Sequence, residues 1–355
     1  MVLDGNRKEF DICGISKWHQ LGIKGKGRAI GEIEPVRADL SCWDGKMYDP
    51  FNVGVNAEVN GHGHQVMNIM KQVAPEADLY TLPGISGIFS STTASGQFVD
   101  EILPFAAEHI DVIGASLKHS GTLSLALQQR IKTIQDNTIF VCAAGNDSTY
   151  DFNGYAQDNT WISVAAVNYI ESMNKIERAS YSSVGEELDF SMFTNLFVEN
   201  VRYPENPFQQ NGTSIAQPML SGMVLLVQQY FFDNTGRKLS QQQMYQFIKD
   251  HVKDLGQAGF DAYYGHGLFV LPEPSTIDVN KYLGTVETPP PTPPTPPSAK
   301  EMTLYEAVDV WAAAGVILDP EGMKKDYDAG QLRPDRFFYF LTKSAKHLLS
   351  LSPSK

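Results

Sequence analysis

Residues Asn211–Gly222 read NGTSIAQPMLSG, and this stretch decides how the rest of the sequence is interpreted. Ser214 follows Gly-Thr, Pro218 stands four residues later, and an apolar run continues through Met223–Val227. Asn-Gly favours a turn and a hydroxyl residue can cap a helix, so ordinary turn chemistry accounts for the pattern. The pattern also fits a nucleophile at a helix N-terminus, where free N–H groups and the helix dipole favour developing negative charge. A nucleophilic serine requires a base and oxyanion donors elsewhere in the chain.

Length, composition and charge limit the classes of function that the sequence can serve. The chain has 355 residues, of which 42% are hydrophobic, and this is enough for one large core with a small appendage. The formal net charge is -13, and no basic run stands out. Binding to a phosphate backbone needs clustered Lys and Arg, so the sequence argues against a nucleic-acid partner.

Cysteine usage and the N-terminal sequence bear on the compartment. The three cysteines, Cys13, Cys42 and Cys142, give no disulfide framework and suit a reducing compartment. The N-terminal MVLDGNRKEFDICG has no basic segment followed by an apolar stretch, so no signal peptide is predicted. No run reaches the roughly 18 apolar residues of a membrane span. We therefore expect a cytoplasmic or particle-associated protein, although a signal or propeptide already removed would leave no trace.

Apolar, β-rich segments alternate with helix-like segments before residue 284. The candidate strands are Arg28–Glu34, Asp78–Leu82, Val112–Leu117, Ile139–Ala143 and Trp161–Val167. The candidate helices are His64–Val73, Phe98–Glu108, Thr122–Gln135, Ser214–Phe231 and Ser240–His251. This alternation predicts an α/β fold with a mostly parallel central sheet and helices on both faces.

A proline-rich stretch divides the chain. Residues Thr288–Ser298 read TPPPTPPTPPS, which favours extended polyproline II and a semi-rigid spacer. The sequence therefore predicts a main domain over residues 1–283, a linker over 284–300 and a small helical module over 301–355. Within the module, Thr303–Ala314 and Asp335–Leu351 have amphipathic patterns. Its segment AVDVWAAAGVILDPEGM resembles small helical modules of phage and cell-wall hydrolases, which implies docking to another protein, a phage particle or a cell-wall component.

Two further stretches supply the groups that a nucleophilic serine would need. Asn60–Met70 reads NGHGHQVMNIM, with His62 between glycines just before a helix-like run. A lone histidine is more often a surface or core residue, and His62 with His64 could also bind a metal, although no carboxylate–histidine pattern supports a zinc site. Phe140–Asp147 reads FVCAAGND, which is either a strand followed by a turn or a strand end that aims the Asn146 amide at a developing oxyanion.

Taken together, these stretches resemble motifs of the subtilisin-like serine proteases. GHGHQV, FVCAAGND and NGTSIAQP resemble the segments that carry the base, the oxyanion donor and the nucleophile in that family. DVIGASL, RASYSSVGEELDF and YYGHGLFV resemble further family segments, in the same order, from about Gly14 to Leu271. The resemblance implies a subtilisin-like α/β fold and serine endopeptidase activity through an acyl-enzyme. Ser214 would attack the scissile carbonyl, His62 would act as general base, and Asn146 with the Ser214 N–H would hold the oxyanion.

The carboxylate that orients the base departs from the family pattern. In GRAIGEIEPV, Glu34 stands where the family has aspartate. Glu34 is the expected partner of His62, with Asp39, Asp44 or no functional third member as alternatives. Glu32, two residues earlier, shares a strand face with Glu34 or is simply a polar residue at the strand edge.

The resemblance also implies a peptide-binding cleft between two extended edges. The implied substrate-binding residues are Ala94, Ser95, Gly96, Ser116, Leu117, Lys118 and Asp147. Lys118 stands where the family commonly has glycine. Paired with Asp147 it would leave the pocket selecting apolar residues, and unpaired it would favour acidic ones.

Calcium and catalytic competence stay open at this stage. The family often binds calcium, and the loop of residues 44–58 carries Asp49, Asn52 and Asn56 without an Asp-rich ligand pattern, so the sequence assigns no metal site. The alternative to a peptidase is a catalytically silent subtilisin-like protein that binds peptides or serves as a scaffold. Peptides or proteins are the expected partners in either case.

Overall fold

A computed structural model describes residues 2–83, 98–117, 123–148, 154–156 and 160–284. The chain divides after Thr285, and the residues described here belong to the compact unit Met1–Thr285. The predicted helical module of residues 301–355, and all of the linker except Gly284, lie outside the described residues. The predicted domain boundaries therefore stay predictions.

The strands are mostly short and buried. They are β1 Ala29–Ile33, β2 Met47–Tyr48, β3 Asp78–Leu82, β4 Val112–Ala115, β5 Ile139–Ala143, β6 Ile162–Ile170, β7 Lys175–Arg178, β8 Phe190–Phe193, β9 Leu196–Val198, β10 Phe208–Gln210, β11 Val252–Lys253 and β12 Leu268–Phe269. Every residue of β1, β4, β5 and β8 is buried. Such continuous burial is typical of parallel strands that are covered on both faces.

The α-helices are α1 Arg7–Ile12, α2 Ile15–Gln20, α3 His62–Val73, α4 Leu103–His109, α5 Leu125–Lys132, α6 Thr213–Thr235, α7 Gln241–Asp250 and α8 Val279–Leu283. A π-helical segment, Phe98–Ile102, leads directly into α4. Short 3-10 turns occur at Asp4–Asn6, Ser41–Trp43, Glu171–Met173 and Pro274–Thr276. Helix α6 is buried almost throughout its first half, so it is a central helix of the core.

Within the described residues, ten strands form one sheet in the order β11-β12-β8-β6-β5-β4-β1-β3-β2, with β7 paired to β6. The β6–β7 and β11–β12 pairs are antiparallel and the other pairs are parallel. Strand β1 lies between β3 and β4, so the strand order reverses at β1. In open α/β sheets, binding crevices form at the carboxyl ends of strands next to such a reversal. Strands β9 and β10 form a separate antiparallel pair.

The core has a part on each face of the sheet. Ile139 and Val141 belong to one cluster with α3 and α6, whereas Phe140 and Cys142 belong to a second cluster with α4 and α5. Because successive residues of a strand point to opposite faces, the two clusters cover opposite sides of the sheet. The predicted α/β fold with helices on both faces is therefore confirmed.

The predicted elements are found, with shifted ends in most cases. Strands β3 and β5 have the predicted bounds, and α3 begins two residues earlier than predicted, at His62. Strand β1 ends at Ile33 and excludes Glu34, because the Glu34 N–H bonds to the carbonyl of Glu32 at 2.8 Å and turns the chain out of the sheet. The reading of Glu32 as a polar residue at the strand edge is wrong, since its side chain is fully buried in the sheet interior.

Candidate active site

Glu34 and His62 come together at the carboxyl end of β1. Glu34 directly follows the strand, and His62 is the first residue of α3. His62 Nδ1 lies 2.9 Å from Glu34 Oε1, with the carboxylate largely buried and the imidazole 42% exposed. Gly63 makes this approach possible, because a Cβ there would lie 2.6 Å from Glu34 Cγ and 2.6 Å from the Pro35 carbonyl oxygen. A carboxylate at Nδ1 leaves Nε2 of the ring available to a substrate or nucleophile.

This contact changes the titration of the imidazole. The hydrogen bond to Glu34 raises the pKa of His62 above its ordinary value of 6.5, while burial opposes the rise without cancelling it. The contribution of the pair to folding stability is therefore complete below the unfolded pKa and is lost as the pH rises through the folded pKa.

The two other candidate carboxylates lie elsewhere. Asp39 is bonded to Arg37, and 63% of its side chain is exposed. Asp44 pairs with Lys71 at 2.7 Å, and 73% of its side chain is exposed. Of the three acids, Glu34 is therefore the one that contacts His62.

The turn before α6 places Ser214 in the first turn of that helix. Gly212 has φ +124, a conformation that other residues rarely adopt. A Cβ on Gly212 would lie 2.9 Å from Ser214 Oγ and 3.6 Å from Asn146 Nδ2, so the hydroxyl and the amide approach the same point over this glycine. The Ser214 N–H has no acceptor among the described residues, as expected for the first turn of a helix.

The orientation of the Asn146 amide follows from its neighbour. Thr213 donates to Asn146 Oδ1 from its N–H at 2.9 Å and from its hydroxyl at 3.0 Å. A backbone N–H can only donate, so the atom that faces it is the amide oxygen, and Nδ2 points the other way. Thr213 Oγ1 also accepts from the Gly145 N–H at 3.2 Å, which fixes the loop to the helix start. Thr213 thus orients Asn146, a role that the sequence did not reveal although Thr213 stands beside Ser214.

A second pair of residues that the sequence analysis missed fixes Gly212. The Gly212 N–H donates to Tyr181 Oη at 2.9 Å and to Thr194 Oγ1 at 3.0 Å. The Gly212 carbonyl lies 3.1 Å from the same threonine hydroxyl. Tyr181 belongs to the predicted Ser-rich segment, but Thr194 carries no local sequence signal.

The predicted substrate-binding residues are only partly described. Ser116 is 7% exposed, and its N–H donates to Glu32 Oε1 at 2.7 Å. The Ser116 N–H is therefore already bonded, so a backbone hydrogen bond between Ser116 and a peptide requires the Ser116 carbonyl as acceptor. Leu117 is half-buried next to it, and Asp147 is exposed beside Asn146. Ala94, Ser95, Gly96 and Lys118 lie outside the described residues, so the Lys118–Asp147 pairing stays a prediction.

No hydrogen bond joins His62 to Ser214 among the contacts of the described residues. Catalytic hydrogen bonds are often long without substrate and tighten when it binds, so this does not separate the two groups functionally.

The described residues offer no metal centre. Residues 2–83, 98–117, 123–148, 154–156 and 160–284 contain no group of three or more His, Cys, Asp or Glu side chains arranged to hold an ion. His64 packs on Trp43 with ring centroids 4.9 Å apart, and its Nε2 lies 3.4 Å from the Glu199 carbonyl oxygen. Asp49, from the candidate calcium loop, accepts from the N–H groups of Val53 and Gly54 at 2.9 and 2.8 Å. Its carboxylate therefore organises its own turn.

None of the helices in the part of the chain described above combines the length and apolar character needed to cross a bilayer.

Comparisons with known proteins concern the family and the fold of this chain. The model of the Subtilase family matches residues 51–267, more than half of the chain, which includes His62, Asn146 and Ser214 but not Glu34. The minor extracellular protease Epr of Bacillus subtilis (strain 168) is 27% identical over 264 residues, covering 70% of this chain and 38% of the relative. The major intracellular serine protease of the same strain is 25% identical over 274 residues, covering 67% of this chain and 82% of the relative. Subtilisin NAT of Bacillus subtilis subsp. natto is 29% identical over 212 residues, covering 55% of this chain and 52% of the relative.

The first of these relatives are matched over only about half of their length or less. Among solved structures, a lanthipeptide protease matches with a TM-score of 0.58 at 16% identity, covering 75% of this chain and 93% of the other. At that identity the likeness concerns the fold alone. The family match is independent of it and spans the candidate residues His62, Asn146 and Ser214. The chain belongs to the subtilase family.

Proposed function

We propose that this protein is a serine endopeptidase that hydrolyses peptide bonds through an acyl-enzyme at Ser214. The observation that carries the proposal is the Glu34–His62 contact of 2.9 Å at the start of α3. A buried carboxylate held against Nδ1 has little structural purpose at an exposed helix start, but it is what a general base requires. The oriented amide of Asn146 and the Ser214 N–H, which has no acceptor in the part of the chain that the structure describes, supply the remaining groups.

Each residue has a distinct task in this mechanism. His62 removes the hydroxyl proton of Ser214 as the oxygen attacks the scissile carbonyl, and returns the proton to the leaving amine. Glu34 accepts from Nδ1–H, fixes the tautomer and stabilises the imidazolium. Asn146 Nδ2 and the Ser214 N–H donate to the oxyanion, and Thr213 holds Asn146 so that little reorganisation is needed during the reaction.

The substrate class follows from backbone recognition. A peptide bound as an added strand is held mainly by main-chain hydrogen bonds, and the Ser116 N–H already bonds to Glu32, so the Ser116 carbonyl is the main-chain group of this residue that would accept one. Such binding tolerates many side chains, so unfolded proteins and extended peptides are the expected substrates.

A fluorophosphonate probe tests the proposal directly, because it phosphonylates a serine only where a base and an oxyanion site activate it. We expect covalent labelling at Ser214, located by peptide mapping, and loss of labelling after thermal unfolding. Intact mass spectrometry gives the stoichiometry. A folded protein that takes up no probe would instead support a silent peptide-binding scaffold.

The raised pKa of His62 predicts the pH dependence. The base must be neutral to accept a proton, so kcat/KM should rise with pH through a value above 6.5. In Glu34→Gln the hydrogen bond that raises the pKa of His62 is weakened. The rise of the residual activity with pH should therefore occur at a lower pH than in the unmodified protein. Probe labelling rates measured from about pH 5 to about pH 9 give both profiles. An unchanged acid limb in the variant would contradict the coupling of the two groups.

A further inference from the structure

Glu32 is a fully buried carboxyl group near the carboxyl end of the central strand β1. Its backbone pairs with Thr81 of β3 on one side and Gly114 of β4 on the other. A carboxyl group at such a place is costly unless it is neutral or well partnered. The mechanism above gives it no task.

The side chain of Glu32 reaches the strand edge that continues β4. Glu32 Oε1 accepts from the Ser116 N–H at 2.7 Å. The Ser116 hydroxyl lies 2.6 Å from Gln217 Oε1 and 3.1 Å from the Ser214 carbonyl oxygen. Gln217 is itself fully buried and donates to Ser221 at 2.7 Å. A buried polar chain therefore joins β1, the β4 edge and helix α6.

Gly114 and Pro218 allow this chain of buried polar groups to form. A Cβ on Gly114 would lie 2.0 Å from Glu32 Oε2 and 2.4 Å from Gln217 Nε2, so only glycine fits there. Pro218 has no N–H, and it cannot donate the usual helical bond to the Ser214 carbonyl. That carbonyl is consequently left for the Ser116 hydroxyl. The proline after the nucleophile thus connects the nucleophile to the substrate edge.

The surroundings disfavour ionisation of the carboxyl. Burial raises the pKa of Glu32 well above its ordinary value, and the charge of Glu34 adds to the rise, while the hydrogen bond from the Ser116 N–H only opposes it. The titratable groups that face it among the described residues are Glu34 and Tyr155. Thr81 of β3, Gly114 of β4, Met70 of α3 and Gln217 of α6 bring no charge.

We propose that Glu32 is a positioning residue that, through Ser116 and Gln217, sets the place of the peptide-binding edge relative to Ser214. The inference rests on the proposed peptidase function for its consequence, but its structural basis is the buried chain alone. A neutral carboxyl and a glutamine amide have nearly the same shape, whereas leucine fills the space without accepting from Ser116. Glu32→Gln should therefore preserve the chain, and Glu32→Leu should break it.

Peptide affinity tests this positioning independently of catalysis. In a Ser214→Ala background, binding of fluorescein-labelled casein is measured by anisotropy for the protein that retains Glu32 and for its Glu32→Gln and Glu32→Leu variants. We expect the Glu32→Leu change to weaken binding by about tenfold to a hundredfold, because a displaced Ser116 edge leaves one or two main-chain hydrogen bonds to the peptide unmade. The Glu32→Gln change should recover most of that loss. Equal affinity in all three proteins, or equal loss in both variants, would overturn the proposal.

The urea midpoint of unfolding, measured as a function of pH, reports the ionisation of Glu32. A purely structural role of the side chain would not change this pH dependence. A neutral buried acid lowers stability once the unfolded chain ionises, so Glu32→Gln should raise the urea midpoint at pH 8 and leave it nearly unchanged at pH 4. A urea midpoint lowered by Glu32→Gln at pH 8 would mean that the Glu32 carboxylate is ionised and stabilising. That result would contradict a neutral Glu32 bonded to Ser116.

Asp189 provides a matched control. It is a half-buried acid whose pKa burial raises to about 6, and its carboxylate accepts from Ser163 at 2.8 and 3.0 Å. Asp189→Asn should change the pH dependence of unfolding without changing casein affinity. Probe labelling of the unmodified protein is run in parallel. Absence of labelling would count against the peptidase function, whereas the affinity series decides the role of Glu32 by itself.

Discussion

Ser214→Ala is expected to abolish casein cleavage and fluorophosphonate labelling while leaving the fold intact. Ser214 is 8% exposed, and the loss of its hydroxyl removes one atom without opening the core. In subtilisin, removal of the nucleophile lowers turnover by about 10⁶-fold, and we expect a loss on the same scale in this protein. What remains would come from the oxyanion site and substrate binding, which still accelerate hydrolysis about 10³- to 10⁴-fold over water.

The measurement needs a control for contaminating proteases and for nonspecific labelling. Ser172→Ala, at an exposed serine in a 3-10 turn, should cleave and label like the unmodified protein. Urea midpoints compare the folding of both variants. Cleavage by purified Ser214→Ala at the unmodified rate would remove the serine-peptidase proposal.

The pieces of the site that the sequence could predict are those written in short contiguous stretches. Gly-Thr-Ser fixes the turn and helix start around Ser214, and FVCAAGND encodes both a buried strand and the loop that follows it. Strand β5 has its predicted bounds because an uninterrupted apolar run is bounded by polar residues on one side and by Gly-Asn on the other. Neighbouring residues determine these features, so they can be predicted from a single sequence.

Other parts of the site depend on contacts between distant segments. Thr194 contacts Gly212 because β8 and the following turn lie beside the start of α6, and no pattern around residue 194 indicates this. The strand-edge reading of Glu32 is wrong because a single strand segment does not show whether it lies at the centre or at the edge of a sheet. Only the pairing of β1 with both β3 and β4 buries it. The turn that takes Glu34 out of the strand likewise depends on a backbone bond to Glu32, not on residue type.

That turn is relevant to the glutamate in place of aspartate. Glutamate has one methylene more than aspartate, and in this chain β1 ends at Ile33 and Glu34 Cγ lies close over Gly63. We therefore predict that the backbone around residue 34 suits glutamate better than aspartate.

Glu34→Gln is expected to keep the fold and to lower kcat by about 10⁴-fold, because the amide favours the wrong tautomer of His62 and cannot stabilise the imidazolium. Glu34→Asp should retain a charge but lose reach. Its carboxylate withdraws from His62 Nδ1, now 2.9 Å from Oε1, and a misplacement of about 1 Å costs on the order of 10²-fold. We therefore expect the order of activity Glu above Asp above Gln at position 34.

Asp39→Asn separates this assignment from the alternative acids. Asp39 is exposed and paired with Arg37, so its neutralisation should leave kcat and the pH profile unchanged. Steady-state kinetics on a casein-derived peptide, with urea midpoints for each variant, gives the comparison. If Glu34→Gln kept the activity of the unmodified protein, the 2.9 Å contact would be an ordinary surface pair. If Glu34→Asp exceeded it, the backbone after β1 would be more adaptable than the packing of Glu34 against Gly63 implies.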